Sequence, residues 1–556
     1  MSKKKPLKQQ PKKAAALKKP EQDYHLILMW VIIAIISIIR YRLISVPFER
    51  DEGEYAYIGS SFLHGIAPFK DAYSMKLPGT AFMYSILMLL FGHSNSGVHL
   101  GLIFINAATM YLLYSGFKKI FNPFIGVATG TIYGFMVIGI VFDGFAAHAT
   151  QFICFYSSVG FLFLALFMKS GKPIKLFLFG LMMGMAFLMK QQAIFLILFG
   201  GAFLLFYLKA EKKKALPDII KKLLLFGTGV AIPYILIFLI IVFTGQFQVF
   251  WLWTVKYASQ YEAVKSMSLI AAYFEISFTP IWYVYNYFWI LAFLGILVLY
   301  WSPYSRMQKL FVVGYLIASA CSVSSGFYFR QHYFIVILPV VGLLTGIFIE
   351  FLIKQVRERM NILKSSGIPL LVLSAFFLIT IYINRSYFFI YSPKTICSIA
   401  YWGNPFNEAQ EISKYIKDNT KDSDKIAILG SEPEIYFYAN RTAATGYLYT
   451  YPLVDKQAFN GIMQDQMIKE IETNKPAFIV FCNIPFSWGV YPGSPKKIFE
   501  WGNTYTHNNY TPVGFADFFN NRGWQIFWGE DMKNHSNDAE SFIIIFKRNT
   551  AASKPI

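Results

Sequence analysis

The sequence predicts a polytopic α-helical membrane protein with a C-terminal extracytoplasmic α/β domain. Its 556 residues are 55% hydrophobic and only 15% charged, a composition typical of membrane proteins rather than soluble domains. Apolar runs of about 20 residues, the length that crosses a bilayer, recur as far as residue 385. Beyond about residue 395, shorter apolar segments alternate with amphipathic ones, which indicates a small α/β domain.

The net charge of +20 comes from lysine clusters between apolar runs. Eight lysines fall within the first 19 residues. This distribution is typical of cytoplasmic loops, whereas a nucleic-acid-binding protein would carry its basic residues on a soluble face. We therefore expect membrane lipids as surroundings and no nucleic-acid partner.

The first 25 residues predict a basic, disordered cytoplasmic tail. The apolar run that follows lacks a small-residue cleavage site, so it predicts an uncleaved signal anchor with a cytoplasmic N-terminus. Four cysteines give neither a disulfide framework nor zinc-ligand spacing, and we expect no cofactor.

The transmembrane domain, residues 26–390, contains eleven firm candidate spans. They cover about 26–44, 98–117, 123–141, 150–168, 174–189, 191–208, 222–243, 286–301, 308–324, 331–351 and 367–385. A further segment, 76–92, is short, so we predict partial or re-entrant insertion and eleven to thirteen transmembrane helices in all.

Charge supports this topology independently. With the N-terminus inside, the eleven spans leave five basic clusters in the cytoplasm. These are Lys118/Lys119, Lys169 to Lys175, Lys209 to Lys222, Arg306/Lys309 and Lys354 to Lys364. Outer loops 46–97 and 244–285 and the C-terminal domain, residues 395–556, then lie outside a cytoplasmic (inner) membrane.

Loop 244–285 is aromatic and mostly uncharged, which predicts two helices along the outer membrane surface. They could form a wall for a lipid substrate or serve as ordinary interfacial anchors. In the C-terminal domain, residues 425–430, 477–482 and 542–547 predict strands, and 463–474 predict a helix. A helix face at Ile412, Tyr415 and Ile416 precedes them.

The first outer loop contains the densest acidic cluster in the first half of the chain: Glu49, Asp51, Glu52 and Glu54. Helical spacing of apolar residues predicts an amphipathic helix over 52–63. Asp51 and Glu54 match a capping box, so Asp51 is either a helix cap or a general base kept ionised by the helix dipole.

Other polar residues fall at predicted outer ends of spans. They are Asp143, His148, Lys190, Arg330, His332 and Tyr333. Each one alone could snorkel to the interface, but cations at several outer ends together suit an anion at the headgroup level, such as phosphate. A lipid-linked phosphosugar fits this arrangement: a carboxylate would deprotonate an acceptor hydroxyl, and the cations would stabilise the departing lipid phosphate.

The Asp51-Glu52 pair, followed by Lys76-Leu77-Pro78-Gly79 at the start of a membrane segment, resembles the integral-membrane glycosyltransferases of the GT-C fold. The likeness is to the bacterial relatives of the dolichyl-phosphate-mannose protein mannosyltransferases (glycosyltransferase families 39 and 83). These include aminoarabinose lipid A transferases and lipopolysaccharide galacturonosyltransferases. The tail stretch 425–453 is similar to the outer domain of many bacterial members.

This resemblance implies a polyprenyl-phosphate sugar donor and a glycan, lipid or protein acceptor. It implies Asp51 as the catalytic aspartate, Glu52 as its acidic partner and Lys76 beside the lipid phosphate. Lys190, Arg330, His332 and Tyr333 would line the donor groove, and Asp143 and His148 would be acceptor-side or auxiliary residues. Leu77-Pro78 departs from the Pro-Pro of many relatives. Some relatives hold a divalent metal near the acidic pair, and the sequence does not define such a site here.

Three rival functions remain at the level of sequence. A flippase or transporter for a lipid-linked anion would also need cationic helix ends, but the chain shows no repeat symmetry and few midplane charges. An O-antigen ligase or polymerase would be expected to carry its key residues in a later outer loop. A membrane-anchored docking module would not need eleven spans.

Overall fold

The computed structural model describes residues 24–261, 266–359, 368–519, 523–533 and 539–549. The predicted basic tail, apart from Tyr24 and His25, lies outside the described residues, as does the basic cluster Lys354 to Lys364 beyond residue 359.

The first half of the chain and its continuation to residue 400 are helical. The helices are α1 (Tyr24–Tyr41), α2 (Arg50–Leu63), α3 (Gly79–Phe91), α4 (Asn95–Ile120), α5 (Pro123–Val137), α6 (Ala149–Ser170), α7 (Pro173–Met189), α8 (Ile194–Phe206), α9 (Leu216–Phe243), α10 (Phe247–Trp251), α11 (Ala258–Tyr261), α12 (Met267–Leu299), α13 (Arg306–Ser324), α14 (Leu338–Arg359), α15 (Ile368–Ile383) and α16 (Pro393–Ala400).

Eight helices within the described ranges are long and apolar enough to cross a membrane: α1, α4, α6, α8, α9, α12, α13 and α14, some of them extended by short flanking turns. Four more, α3, α5, α7 and α15, are apolar but shorter. Each of the eleven predicted spans coincides with one of these twelve helices. The prediction of a polytopic helical membrane protein is therefore confirmed.

The doubtful segment 76–92 forms α3, which has 13 residues. Such a helix is about 20 Å long, less than the ~30 Å hydrocarbon core. Its length agrees with partial insertion. Segment 244–285 contains two helical stretches, as predicted: one from α10 to α11, and the first part of α12, which kinks at Tyr285.

Local sequence signals set several of the helix ends. The side chains of Ser94 and Asn122 accept hydrogen bonds from the backbone at the starts of α4 and α5. Ser305 forms a capping box with Gln308 at the start of α13. Lys118 and Lys119 lie in the last turn of α4, where a positive charge complements the helix dipole.

The C-terminal domain combines a mixed sheet with flanking helices. Its strands are β1 (Lys425–Leu429), β2 (Thr442–Ala443), β3 (Phe478–Asn483), β4 (Tyr510–Phe519), β5 (Gly523–Trp528) and β6 (Phe542–Arg548). Its helices are α17 (Phe406–Asp418), α18 (Glu434–Ala439), α19 (Tyr451–Val454), α20 (Asn460–Asn474), α21 (Pro485–Trp488), α22 (Lys497–Asn509) and α23 (Glu530–Lys533).

The strand order is β2-β1-β3-β6-β4-β5. β2, β1 and β3 are parallel, and β6, β4 and β5 extend the sheet in antiparallel pairs. The predicted strands are the central β1, β3 and β6, and the predicted helix is α20. Ile412 and Ile416 of α17 are fully buried, as the helix-face pattern indicates.

The C-terminal domain packs directly on segment 46–97, the predicted first outer loop. α18 lies against α2, where Gly53 is so close that an added Cβ would stand 2.5 Å from the backbone nitrogen of Glu434. Ala443 donates a backbone hydrogen bond to the hydroxyl of Tyr57 (2.9 Å), and Tyr73 donates one to the carbonyl of Gly446 (2.7 Å). The domain therefore forms a roof over the segment that contains the acidic cluster.

Candidate active site

Asp51 lies in the first turn of α2, one residue after the helix begins. The helix cap is Glu49, whose carboxylate accepts the backbone N–H of Glu52 at 2.9 Å. The capping interpretation of Asp51 is therefore wrong, because Glu49 already fills that role. The side chain of Asp51 remains available for chemistry, at a helix end whose dipole favours an anion.

Lys76 joins Asp51 to a second carboxylate. Its ammonium donates to Asp51 Oδ1 at 2.7 Å and to Glu54 Oε2 at 2.5 Å. The side chain of Asp51 is 31% exposed, whereas that of Glu54 is 1% exposed. Lys76 also lies over the ring of Tyr55, 4.6 Å from its centroid. A cation thus stands between a buried carboxylate and an accessible one.

Charge pairing sets the protonation of these groups. Burial alone would raise the pKa of Asp51, but the charge of Lys76 outweighs it and holds the pKa well below its usual range. Burial likewise opposes the charge of Lys76, yet Asp51 and Glu54 raise its pKa well above the ordinary value. Asp51 is therefore a carboxylate and Lys76 an ammonium at neutral pH.

Glu52 points about 100° away from Asp51 around α2 and is fully buried. Its Oε1 accepts hydrogen bonds from Tyr84 (3.1 Å), His99 (2.9 Å) and the backbone of Ala147 (2.7 Å). Burial would raise the pKa of Glu52, but His99 lowers it. Glu52 therefore ties α2 to α4 and to the outer turn that contains Asp143 and His148.

That outer turn is fixed by α1 and α6. Arg40 and Gln151 both donate to the carbonyl of Gly144, at 2.8 and 3.2 Å. Asp143 there is buried, and burial and the charge of Glu52 raise its pKa to about 7 against the opposing charge of Arg330.

The predicted histidines meet at the same place. The rings of His148 and His332 stack with centroids 4.0 Å apart. Nδ1 of His332 lies 3.9 Å from Oδ2 of Asp143, and Nδ1 of His148 lies 3.9 Å from Oε1 of Glu49. Burial lowers the pKa of His148 to about 4, so its imidazole is neutral at neutral pH.

Lys190 and Tyr333 form a second cationic element. The Lys190 ammonium lies 3.6 Å from the centroid of the Tyr333 ring, a close cation–π contact. The break between α7 and α8 that holds Lys190 is joined to the first loop, because Gln191 donates to the carbonyl of Met75 at 3.3 Å. Arg330 lies over the ring of Tyr328 at 5.9 Å.

Asp51, His148 and His332 offer ligand atoms that all lie within 4.8 Å of one another. Two imidazoles and a carboxylate are a donor set that Zn²⁺ accepts. Nε2 of His148 is buried and has no hydrogen-bond partner within the described ranges, as a metal ligand would leave it. These residues therefore fit a divalent metal, which the spacing of ligands in the sequence did not indicate.

The structure brings the nine predicted site residues into one region, with Glu52 behind the others. It adds Glu49, Glu54 and Tyr449, which were not predicted to act there. Glu49 and Glu54 belong to the acidic cluster seen in the sequence. Tyr449, whose hydroxyl lies 3.1 Å from Asp51 Oδ1, had no signal beyond its place in the stretch 425–453.

Comparison with known proteins gives one family match. Residues 75–240 match the family model described as dolichyl-phosphate-mannose-protein mannosyltransferase. No curated protein sequence matches the chain.

Solved structures share the fold. ArnT from Cupriavidus metallidurans bound to undecaprenyl phosphate is 11% identical, with 96% of this chain and 100% of ArnT covered at a TM-score of 0.57. The apo state of ArnT gives 12% identity, coverages of 96% and 99%, and a TM-score of 0.54.

The archaeal oligosaccharyltransferase AglB from Archaeoglobus fulgidus, in complex with an inhibitory peptide and a dolichol-phosphate, is 11% identical. The match covers 93% of this chain and 75% of AglB, with a TM-score of 0.51. The family match and the shared fold together identify the chain as a membrane glycosyltransferase of the GT-C fold.

Proposed function

We propose that this glycosyltransferase moves a sugar from a polyprenyl-phosphate donor to a hydroxyl of a cell-envelope glycan, lipid or protein. Asp51 is the general base in this proposal. The site works at the outer face of the cytoplasmic membrane, with the N-terminus inside and the C-terminal domain outside. The observation that carries the proposal is the partly exposed Asp51 carboxylate at a helix N-terminus, 2.7 Å from Lys76.

The chemistry of the surrounding residues supports a phosphate-linked donor. Lys76 pairs with Asp51, and the charges of Lys190 and Arg330 act on His332 in the same site. The related ArnT and AglB structures contain undecaprenyl phosphate and dolichol-phosphate. An amphipathic lipid of this kind would place its phosphate among the cations and its chain along the helices.

The reaction is a single displacement. Asp51 takes the proton of the acceptor hydroxyl as the oxygen attacks the anomeric carbon. The bond from that carbon to the phosphate oxygen breaks, and the electron pair leaves with the lipid phosphate. Lys76, Lys190 and Arg330 stabilise the charge that grows on it. One base is enough for a reaction that inverts the anomeric centre.

Lys76 links donor binding to the activation of Asp51. A carboxylate paired with an ammonium at 2.7 Å is a weak base. A donor phosphate competes with Asp51 for Lys76, so donor binding increases the proton affinity of Asp51. This order of events protects the donor, because the base becomes strong only when the sugar is in place.

The same region has a place for a metal. Asp51, His148 and His332 would hold a divalent ion, which would add positive charge beside the donor phosphate. The proposed proton transfer does not depend on this ion, because a carboxylate oxygen of Asp51 accepts the proton.

The test is transfer by the purified chain in lipid nanodiscs. Undecaprenyl-phosphate-linked mannose, glucose, arabinose and galacturonate, each radiolabelled, serve as donors. Membranes from a strain that lacks the gene supply the acceptor. We expect at least one donor to lose its sugar to the membranes with release of undecaprenyl phosphate. If none of the donors is consumed by folded protein, the proposed polyprenyl-phosphate reaction is wrong.

Glycans offer a second measurement. Mass spectrometry of surface glycans from the deletion strain should reveal the loss of one sugar, and the full-length gene should restore it. The mass difference would identify both the sugar and the molecule that receives it.

A further inference from the structure

A side chain from the C-terminal domain reaches into the site. Tyr449 lies between β2 and α19, and its hydroxyl is 3.1 Å from Asp51 Oδ1 and 3.1 Å from the carbonyl oxygen of Arg50. Lys76 donates to the same hydroxyl at 3.4 Å. A phenol has one proton, and a carboxylate is a stronger acceptor than a carbonyl. The hydroxyl proton is therefore shared mainly with Asp51.

The ring of Tyr449 also bounds Lys76. The ammonium lies 5.2 Å from the centroid of the Tyr449 ring and 4.6 Å from that of Tyr55. Both are within the range of cation–π attraction. The hydroxyl of Tyr449 is a hydrogen-bond donor in this arrangement, because both of its nearest acceptors are oxygens without a proton to give.

The segment that carries Tyr449 is held firmly by its own domain. Thr450 donates its backbone N–H to the hydroxyl of Ser431 (2.9 Å) and its side-chain hydroxyl to the carbonyl of Ser487 (3.1 Å). The Tyr451 hydroxyl donates to the carbonyl of Phe486 at 2.7 Å. These bonds leave the Tyr449 hydroxyl in a fixed place over α2.

A salt bridge ties the same part of the domain to the residue beside Asp51. Arg50 donates to the buried carboxylate of Glu432 at 2.9 Å and lies 5.9 Å from the ring of Tyr451. Arg50 and Asp51 are neighbours in the first turn of α2. The domain thus fixes both the backbone that carries Asp51 and the hydroxyl that contacts its carboxylate.

We propose that Tyr449 is a positioning residue for the base, and that the C-terminal domain thereby completes the active site. Its hydroxyl holds Oδ1 of Asp51 and leaves Oδ2 directed at the acceptor hydroxyl. This function continues when Lys76 engages the donor phosphate, because Tyr449 then remains the hydrogen-bond donor to Oδ1. The inference rests on the proposed role of Asp51 as the base.

The test compares Tyr449→Phe with Tyr447→Phe in the full-length chain. Tyr447 is in the same segment and is buried, whereas Tyr449 is partly buried, and the Tyr447 hydroxyl donates to Gln466 at 3.0 Å. Each change removes one hydroxyl that donates a side-chain hydrogen bond. We expect Y449F to lower kcat about 10- to 100-fold, because a misdirected base loses near-attack geometry. The KM for the undecaprenyl-phosphate-linked donor should change less than about twofold, since ground-state binding is retained.

Two measurements separate positioning from general stability. Thermal unfolding and the binding of undecaprenyl phosphate should be the same in Y449F and Y447F, and Y447F should keep wild-type kcat. The inference fails if Y449F retains wild-type kcat, or if both variants lose activity and melting temperature together. An inactive Asp51→Asn beside a fully active Y449F would leave the proposed function intact and remove only this inference. An active Asp51→Asn would remove the role of Asp51 as the base and this inference with it, whereas a folded wild-type chain that consumes none of the donors would remove the proposed function itself.

Discussion

The two sides of α2 contain neighbouring carboxylates with opposite surroundings. Asp51 is 31% exposed and pairs with the flexible side chain of Lys76. Glu52 faces the helix bundle, is fully buried and accepts from Tyr84, His99 and the backbone of Ala147. Residues next to each other on a helix point about 100° apart. One carboxylate thus meets solvent, and the other meets the core.

The difference lies in the mobility of the partners. A lysine side chain is flexible and can be drawn away by a phosphate, which changes the basicity of Asp51. The partners of Glu52 are an aromatic hydroxyl, an imidazole and a backbone amide in packed helices and turns, which cannot leave without unfolding. The exchangeable partner of Asp51 therefore suits proton transfer, and the fixed partners of Glu52 suit the stability of the fold. The resemblance to known enzymes assigns catalysis to both residues, and experiments can separate them.

The largest effect should follow Asp51→Asn. The amide has nearly the same shape but cannot accept a proton, so we expect kcat to fall about 10³-fold. The melting temperature should change little, because a partly exposed ion pair contributes little to stability. Transfer from the undecaprenyl-phosphate-linked donor measures kcat, with Asp71→Asn in the same loop as control. Near-wild-type turnover would eliminate Asp51 as the base.

Glu52→Ala should affect stability instead. It leaves His99, Tyr84 and the Ala147 amide without their acceptor, and breaking a buried charged network costs about 3–5 kcal/mol. We expect the melting temperature of the detergent-solubilised protein to fall by several degrees, with no comparable fall for the exposed control Glu500→Ala. A variant with wild-type melting temperature and no turnover would instead support the catalytic role that the resemblance implies for Glu52.

Lys76→Gln should weaken donor binding. A charge-assisted bond to phosphate contributes about 1.5–3 kcal/mol, so we expect the affinity for undecaprenyl phosphate to fall roughly 10- to 100-fold. Titration of nanodisc-embedded protein measures it, and Lys70→Gln, an exposed lysine six residues earlier, is the matched control. If the affinity is unchanged, Lys76 serves only to neutralise Asp51 and Glu54.

The smallest effect concerns a third carboxylate, Glu408 in α17. The charge of Lys394 lowers the pKa of Glu408 and offsets only part of the increase that burial causes. Burial raises its pKa from 4.5 to about 7. The unfolded chain ionises at lower pH, so the contribution of Glu408 to stability is complete below about pH 4.5 and is lost as the pH rises through about 7. Melting curves at pH 5 and pH 8 should differ less for Glu408→Gln than for the wild type. An equal difference in both proteins would contradict this pKa.

Hydropathy predicted the membrane region well, because a helix in lipid must be apolar along its whole length. In the C-terminal domain it predicted only the central strands, which are short apolar runs. β4 contains Pro512 and Gly514 at a register shift, β5 mixes aromatic and polar residues, and β2 has two residues. Partly exposed and very short strands leave little pattern in a sequence.

The site was predicted as far as single segments allow. The acidic cluster and Lys76 stand close together in the chain and were both named from the sequence, but Lys76 was expected beside the lipid phosphate, and its pairing with Asp51 and Glu54 comes from the structure. The capping error arose because the spacing of Asp51 and Glu54 fits a capping box, whereas the helix starts earlier and uses Glu49. Asp51, His148 and His332 come from three distant segments, and Tyr449 is 398 residues from Asp51. Only tertiary packing brings these together.

The close approach at Gly53 sets the distance between α2 and the C-terminal domain. A methyl group there would press on the main chain of Glu434, which cannot rotate out of the way as a flexible side chain would. The C-terminal domain would have to tilt as a whole. The tilt would move the Tyr449 hydroxyl away from Asp51, which lies 398 residues earlier in the chain. A substitution at Gly53, which contacts neither Asp51 nor Tyr449, would therefore separate the positioning residue from the base.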